Sequence, residues 1–102
     1  MKLLTKEIKN KLPKLNSTED IRIDEKQVIC KFFCPWNQWT WYGIEYDGQD
    51  TFFGYVVGHE NELGYFSLNE LKSLKGFMGL GIERDLYFKP QTLGEIKLKY
   101  KN

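Results

Sequence analysis

The chain has little of what most recognisable chemistries require. His59 is its one histidine, so a zinc site built on two imidazoles is excluded. Serine occurs only at Ser17, Ser67 and Ser73, none within Gly-x-Ser-x-Gly, which leaves no nucleophile elbow. The two cysteines stand in Cys30-Lys31-Phe32-Phe33-Cys34. On a strand they share a face but lie roughly 13 Å apart, and a disulfide needs Cα atoms within about 7 Å. The spacing is also not that of a redox Cys-x-x-Cys, so buried apolar thiols are expected. No apolar run nears the roughly 20 residues of a membrane span. Leu3-Leu4 behind Lys2 is too short for a signal peptide, so a cytoplasmic location without membrane association is the expectation. Charge of one sign is lacking too: 15 Lys and Arg face 14 Asp and Glu, a net of +1, which excludes a global electrostatic footprint for nucleic acid.

What is present is apolar and aromatic. Hydrophobic residues make up 41% of 102 positions and aromatics 16%. That suffices for one core, and residues 1–102 read as a single domain that needs no metal or disulfide to fold. Lysine is uneven along the chain. Lys2, Lys6, Lys9, Lys11 and Lys14 crowd one end, and Lys97, Lys99 and Lys101 the other. If the termini meet, these form one basic edge. Solvated lysine faces are the plainer explanation.

Leu4, Ile8 and Leu12 recur every four residues between Thr5, a candidate N-cap, and Pro13. This spacing predicts a helix over 5–12. Residues 14–27 read as a polar loop with a short extended piece at Ile21-Arg22-Ile23. Strands are predicted at 28–34, 39–46, 51–57, 63–67 and 82–88. Asp47-Gly48 marks a hairpin. A two-residue loop there would oppose Glu45 to Asp50. A three-residue loop, Tyr46-Asp47-Gly48, is preferred and sets Trp41 against Phe53, Tyr42 against Phe52 and Trp39 against Tyr55. Ser67-Leu68-Asn69-Glu70 and Thr92-Leu93-Gly94-Glu95 are capping boxes. They open helices over 68–75, with Leu68, Leu71 and Leu74 inward and Gly76 as the stop, and over 93–100, with Leu93, Ile96 and Tyr100 inward. The order implies an α+β fold: a mostly antiparallel sheet of four to five strands with three short helices.

Several stretches together resemble a bacterial family known as domain of unknown function 2958. They are Leu3-Leu4-Thr5-Lys6-Glu7-Ile8, Leu12-Pro13, Lys31-Phe32-Phe33 with Pro35, Trp39-Thr40-Trp41-Tyr42 and Phe52-Phe53-Gly54. To these add Glu62-Leu63-Gly64-Tyr65-Phe66-Ser67-Leu68 and Gly81-Ile82-Glu83-Arg84-Asp85-Leu86-Tyr87-Phe88. The resemblance covers nearly the whole chain. It implies cargo of plasmids, phages and integrative elements, and carries no assigned activity or catalytic residues. Cys34 stands where the family resemblance leads one to expect another small residue, usually threonine, which counts against cysteine chemistry.

Three constellations are candidate sites. His59, Glu60 and Glu62 follow a strand end, where loops often carry function. Imidazole and carboxylates there, joined by Glu83 and Asp85, would suit a metal-assisted phosphodiester hydrolase if they converge. A solvated turn is the plainer reading. Arg84 is one of two arginines among many lysines, which suggests bidentate work on a carboxylate or phosphate, or an internal salt bridge to Glu62 or Glu70. Gly79 and Gly81 could let backbone amides approach an anion, although the Lys-Ser/Thr of a phosphate-binding loop is missing. Trp36, Trp39 and Tyr42, with Trp41 and Tyr46, could stack a nucleobase or meet a protein partner, unless they only fill the core.

The reading favoured is a non-catalytic binding module of a mobile element. Arg84, Gly79, Gly81, Trp36, Trp39 and Tyr42 would hold a small anionic ligand such as a nucleotide, or the protein would block a host defence protein. The hydrolase with His59, Glu60, Glu62, Glu83 and Asp85 is the rival. Weak nucleic-acid binding through the lysine-rich ends is a third reading. No cofactor is required, no metal is assigned, and an exposed edge strand would permit a homodimer.

Overall fold

A computed structural model of the chain describes residues 1–101, and of Phe77 the backbone alone. Its frame is a five-stranded antiparallel sheet. The strands are β2 (Cys30–Phe33), β3 (Thr40–Tyr46), β4 (Thr51–Val57), β5 (Asn61–Ser67) and β6 (Glu83–Arg84), in the order β5-β4-β3-β2-β6. A two-stranded ladder joins β1 (Gln27–Val28) to β7 (Gln91–Thr92). The helices are α1 (Lys6–Lys11), α2 (Leu68–Ser73) and α3 (Leu93–Leu98). The fold is the expected α+β domain.

Both faces of the sheet are covered because its strands put apolar side chains on both sides. Phe32, Trp41, Tyr46, Phe52 and Phe66 form one core with Leu3, Leu4, Leu12, Leu68 and Leu71, beneath α1 and α2. Tyr42, Ile44, Tyr55 and Val57 form the other with Val28, Leu93 and Ile96, beneath α3. Phe52 stacks on Phe66 with centroids 4.9 Å apart and meets Phe32 edge-on at 5.5 Å. Phe32, Phe52, Leu93 and Ile96 are fully buried. Each such side chain contributes roughly 1.5–3 kcal/mol by leaving water.

The β3–β4 register differs from the one expected. Tyr46 faces Phe52, Glu45 faces Phe53, and Trp41 faces Val56 rather than Phe53. Tyr42 faces Tyr55, not Phe52, and Trp39 lies outside the ladder. Two features cause the shift. The Asp47 carboxylate accepts hydrogen bonds from the backbone N–H groups of Gln49, Asp50 and Thr51 at 2.7–3.0 Å, which organises a longer turn with Gly48 at φ 87°. The ladder then slips between Gly43 and Glu45. The bulge turns Ile44 and Glu45 toward the α3 face and returns Tyr46 to the other one.

Glu45 is thereby buried, at 4% exposure. Its carboxylate accepts from the Asn16 N–H at 2.8 Å, the Thr18 N–H at 3.2 Å and the Thr18 hydroxyl. The buried Lys26 ammonium donates to the same hydroxyl oxygen at 2.8 Å and to the Thr18 carbonyl. This network pins the segment before β1 to the bulge.

Other boundaries move for local reasons. The stretch 28–34 divides into β1 and β2 around Ile29, whose N–H reaches the Gly43 carbonyl. Ile23–Glu25 is a 3₁₀ turn rather than an extended piece. α2 ends at Ser73, so Leu74 lies in extended backbone and is exposed, not inward. β6 stops at Arg84 because the Asp85 carboxylate accepts from the Tyr87 N–H at 2.9 Å and turns the chain. α1 starts at its predicted cap, with the Thr5 hydroxyl accepting from the Ile8 N–H. α3 carries the full capping box of Thr92 and Glu95.

Candidate functional site

The residues proposed to hold a ligand separate in space. Tyr42 lies on the α3 face, where its hydroxyl shares a 2.5 Å hydrogen bond with that of Tyr100. Burial, then that hydrogen bond, push the Tyr42 phenol far above its ordinary range. Arg84 lies opposite Phe32 in the register and so points to the α1 face. Its Nη1 donates to the carbonyls of Lys2 at 2.5 Å and Leu3 at 2.8 Å. The guanidinium clasps the N-terminal segment, in place of the salt bridge to Glu62 or Glu70 that its rarity suggested.

Trp36 packs over Gly76, where a Cβ would come within 2.4 Å of the indole. Trp39 stacks on Trp41 at 6.0 Å and meets the His59 ring edge-on at 5.5 Å. A Cβ on Gly58 would strike Trp39 at 2.4 Å, so that glycine is the seat of the indole. These aromatics support loops at one end of the sheet, and Trp36 keeps 37% of its surface exposed.

The five residues of the hydrolase reading do not converge. His59 and Glu60 lie in the β4–β5 turn and Glu62 on β5. Glu83 and Asp85 lie on and beside β6, at the other edge. From β4 to β6 there are three strand spacings of about 4.8 Å each. Asp85 faces Lys31 at 3.7 Å instead. Among the described residues, no three His, Cys, Asp or Glu side chains gather where they could hold a metal ion. The thiols are free and buried, and burial pushes that of Cys30 up to about 12, which keeps it protonated and unreactive.

The lysine-rich ends also part. α1 packs on one face and α3 on the other, so they do not make a single basic edge. Lys11 pairs with Glu7 at 3.4 Å and Lys97 with Asp24 at 2.7 Å.

Gly79 and Gly81 do come together, on a hollow of about 380 Å³ between α2, the N-terminal segment and the glycine turn. Its apolar lining is Leu3, Leu71, Leu80 and Ile82 with Met1. Its polar lining is Lys72, Lys75 and Glu83. Among the described residues neither lysine is in an ion pair. The turn is built by the Gly76 N–H donating to the Leu80 carbonyl at 2.8 Å and the Gly79 N–H to that of Gly76 at 3.1 Å. Gly79 has φ 74°, a conformation glycine adopts without strain, and Met78 before it has φ 60°. An antiparallel bridge from Lys75 to Gly81 closes the base.

Lys72 and Lys75 were not singled out from the sequence. Three residues apart, they share one side of α2 and its exit. That spacing was the available signal, hidden among the other lysines. Arg84 serves this hollow from behind, because the carbonyls it holds belong to the segment forming one wall.

Comparison with known proteins agrees with the resemblance noted above. No curated protein and no solved structure gives a significant match. The family model described as "Protein of unknown function (DUF2958)" matches residues 3–96. With nearly the whole folded chain covered, from the clasped N-terminal segment to α3, the protein belongs to the DUF2958 family.

Proposed function

We propose that this protein is a non-catalytic binding module whose site is the hollow beside α2. The occupant is a small anion with an apolar or planar part. One observation carries the reading: Lys72 and Lys75 stand unpaired, among the described residues, over a floor of Leu3, Leu71 and Ile82. Two ammonium groups attract an anion, and the apolar floor accepts a base or acyl group. The glycine turn adds room, since among the described residues a Cβ on Gly79 would meet nothing within 4 Å, and one on Gly81 would come no nearer than Lys75 Nζ at 3.8 Å and the Leu74 carbonyl at 3.9 Å. Glu83 on the same lining disfavours a second negative group on its side. Sequestration of a host nucleotide would suit the mobile-element setting that the family resemblance implies.

The test is a thermal-shift panel of linear and cyclic nucleotides, with and without Mg²⁺. A ligand at a hundred times its dissociation constant stabilises by about 2.7 kcal/mol, a shift of roughly 10 °C for a domain of this size. The expected result is a metal-independent shift that Lys72→Ala with Lys75→Ala abolishes while the unliganded melting temperature holds. A shift that survives the double substitution would remove the hollow from the reading.

A second reading rests on the rim. Met78 is 84% exposed, and Leu74, Leu80 and Trp36 are exposed beside it. Such a cluster suits a protein partner, in keeping with a block of a host defence protein. A flat ligand panel, followed by a pull-down that Met78→Asp weakens, would favour it.

A further inference from the structure

The two edges of the main sheet are finished differently. β6 is two residues long, and its outer Arg84 N–H is met by the Met1 sulfur at 3.2 Å, so the N-terminal segment closes that edge. β5 is seven residues long and, among the described residues, has β4 as its sole neighbour in the sheet. It also lacks most of the usual guards of an open edge, Glu62 being its one charged residue. Asn61-Glu62-Leu63-Gly64-Tyr65-Phe66-Ser67 contains no lysine and no proline, and its pairing with β4 runs without a bulge.

The direction of its backbone groups follows from the hydrogen bonds at its two ends. The Gly58 N–H donates to the Glu60 carbonyl, and the Leu68 N–H to that of Asp50. In an antiparallel ladder bonded pairs alternate, so Glu62, Gly64 and Phe66 bond inward to β4. The N–H and C=O groups of Asn61, Leu63, Tyr65 and Ser67 therefore face outward.

We propose that β5 pairs antiparallel with the β5 of a second copy of this chain, about a two-fold axis at Gly64. In that register all seven residues overlap. Leu63 and Tyr65 exchange hydrogen bonds with the partner's Tyr65 and the partner's Leu63. Glu62 falls opposite the partner's Phe66, and Asn61 opposite the partner's Ser67, so no like charges meet. Tyr65, 64% exposed in the single chain, gains a leucine neighbour on the face where it already contacts Phe53 at 5.4 Å. The glycine fits this placement. Gly64 has no positive φ, lies at no bulge, and among the described residues a Cβ there would meet nothing within 4 Å. Gly54 beside it differs, since a Cβ there would strike the Tyr42 carbonyl at 1.8 Å. A strand glycine that its own subunit does not require marks the approach of another backbone. The arrangement is isologous and ends in two closed β6 edges, so it stops at two copies.

The test is the mass of the full chain by light scattering over a wide concentration range, with three kinds of variant. The mass of two chains is expected. Leu63→Pro removes one outward N–H and no bond to β4, and it should give a folded single chain. Tyr65→Lys, an edge charge that leaves the backbone unaltered, should do the same. Gly64→Cys should give a disulfide-linked pair on mild oxidation, because opposed Cα atoms at a non-hydrogen-bonded pair are about 4.5 Å apart. Glu62→Cys should not, as its copy lies roughly 13 Å away. Single-chain mass at every concentration would overturn the proposal. So would a dimer that keeps its mass in both Leu63→Pro and Tyr65→Lys, or one in which Gly64→Cys fails to cross-link.

Discussion

Glu45 and Lys26 show how single residues fix this fold. Each is almost wholly buried, and the Thr18 hydroxyl joins them. Burying a charge without partners costs several kcal/mol, whereas here the carboxylate has two backbone donors and a hydroxyl. Glu45→Ala should therefore destabilise by about 3 kcal/mol, because it leaves the Asn16 and Thr18 N–H groups and the Thr18 hydroxyl without their acceptor. Urea unfolding measures this, and Glu95→Ala on the surface of α3 serves as the milder comparison. The sequence concealed the network. A charged residue in the middle of Tyr42-Gly43-Ile44-Glu45-Tyr46 alternates plausibly toward solvent, and a polar stretch before a strand reads as a loop. Only the bulge at Ile44 turns Glu45 inward, and bulges depend on the partner strand. Arg84 was a different case. Its rarity did mark a special role, but that role is to hold backbone carbonyls of Lys2 and Leu3, which no side-chain pattern announces.

At the scale of elements, punctuation was readable and register was not. Thr5, Ser67 and Thr92 each cap a helix by accepting from the backbone N–H three residues on, as their spacing predicts. β4 ends where Gly58 says it should. The β3–β4 offset escaped because Asp47 takes three N–H groups into its own carboxylate, and that turn decides the register in place of the Glu45–Asp50 repulsion from which a three-residue loop is expected. Glu70 also does not complete its capping box. Instead the Asp50 carboxylate accepts from the Ser67 hydroxyl at 2.6 Å and the Asn69 N–H at 2.7 Å, tying the hairpin turn to the start of α2. The clasp on the N-terminal segment gives the prediction at this scale. Arg84→Ala should leave the sheet intact, lower stability by about 2 kcal/mol through two lost charge-assisted bonds, and speed amide exchange at residues 2–4 far more than in β3 or β4. Hydrogen exchange read by mass spectrometry tests it, and equal protection in both proteins would mean that the clasp holds nothing.

For the molecule as a whole, two surface carboxylates contribute to the response to acid. Hydrogen bonds from the backbone of Asp50, Gln49 and Thr51 hold the Asp47 carboxyl below its ordinary value, and those from Thr92 do the same for Glu95. A carboxyl whose folded value is depressed adds stability that is fully present above its unfolded value, here 3.8 and 4.5. That stability is lost as the pH falls through the folded values. The melting temperature should thus hold from neutrality to about pH 5 and drop below pH 4. Asp47→Asn with Glu95→Gln should melt lower at neutral pH and lose part of the acid drop. The two-faced core of this molecule was legible in outline from alternating strands and three amphipathic helices. The hollow was not, since it is made by residues 1, 3, 71, 72, 75 and 79–83 meeting across the chain. One contact there has a practical side. Trp36 lies on Gly76, the first residue of the turn that walls the hollow, with its indole half open to water. A ligand that shifts that turn would change the polarity around the ring. The protein thus carries its own optical reporter, and the colour of its ultraviolet emission would register occupancy without a dye or a label.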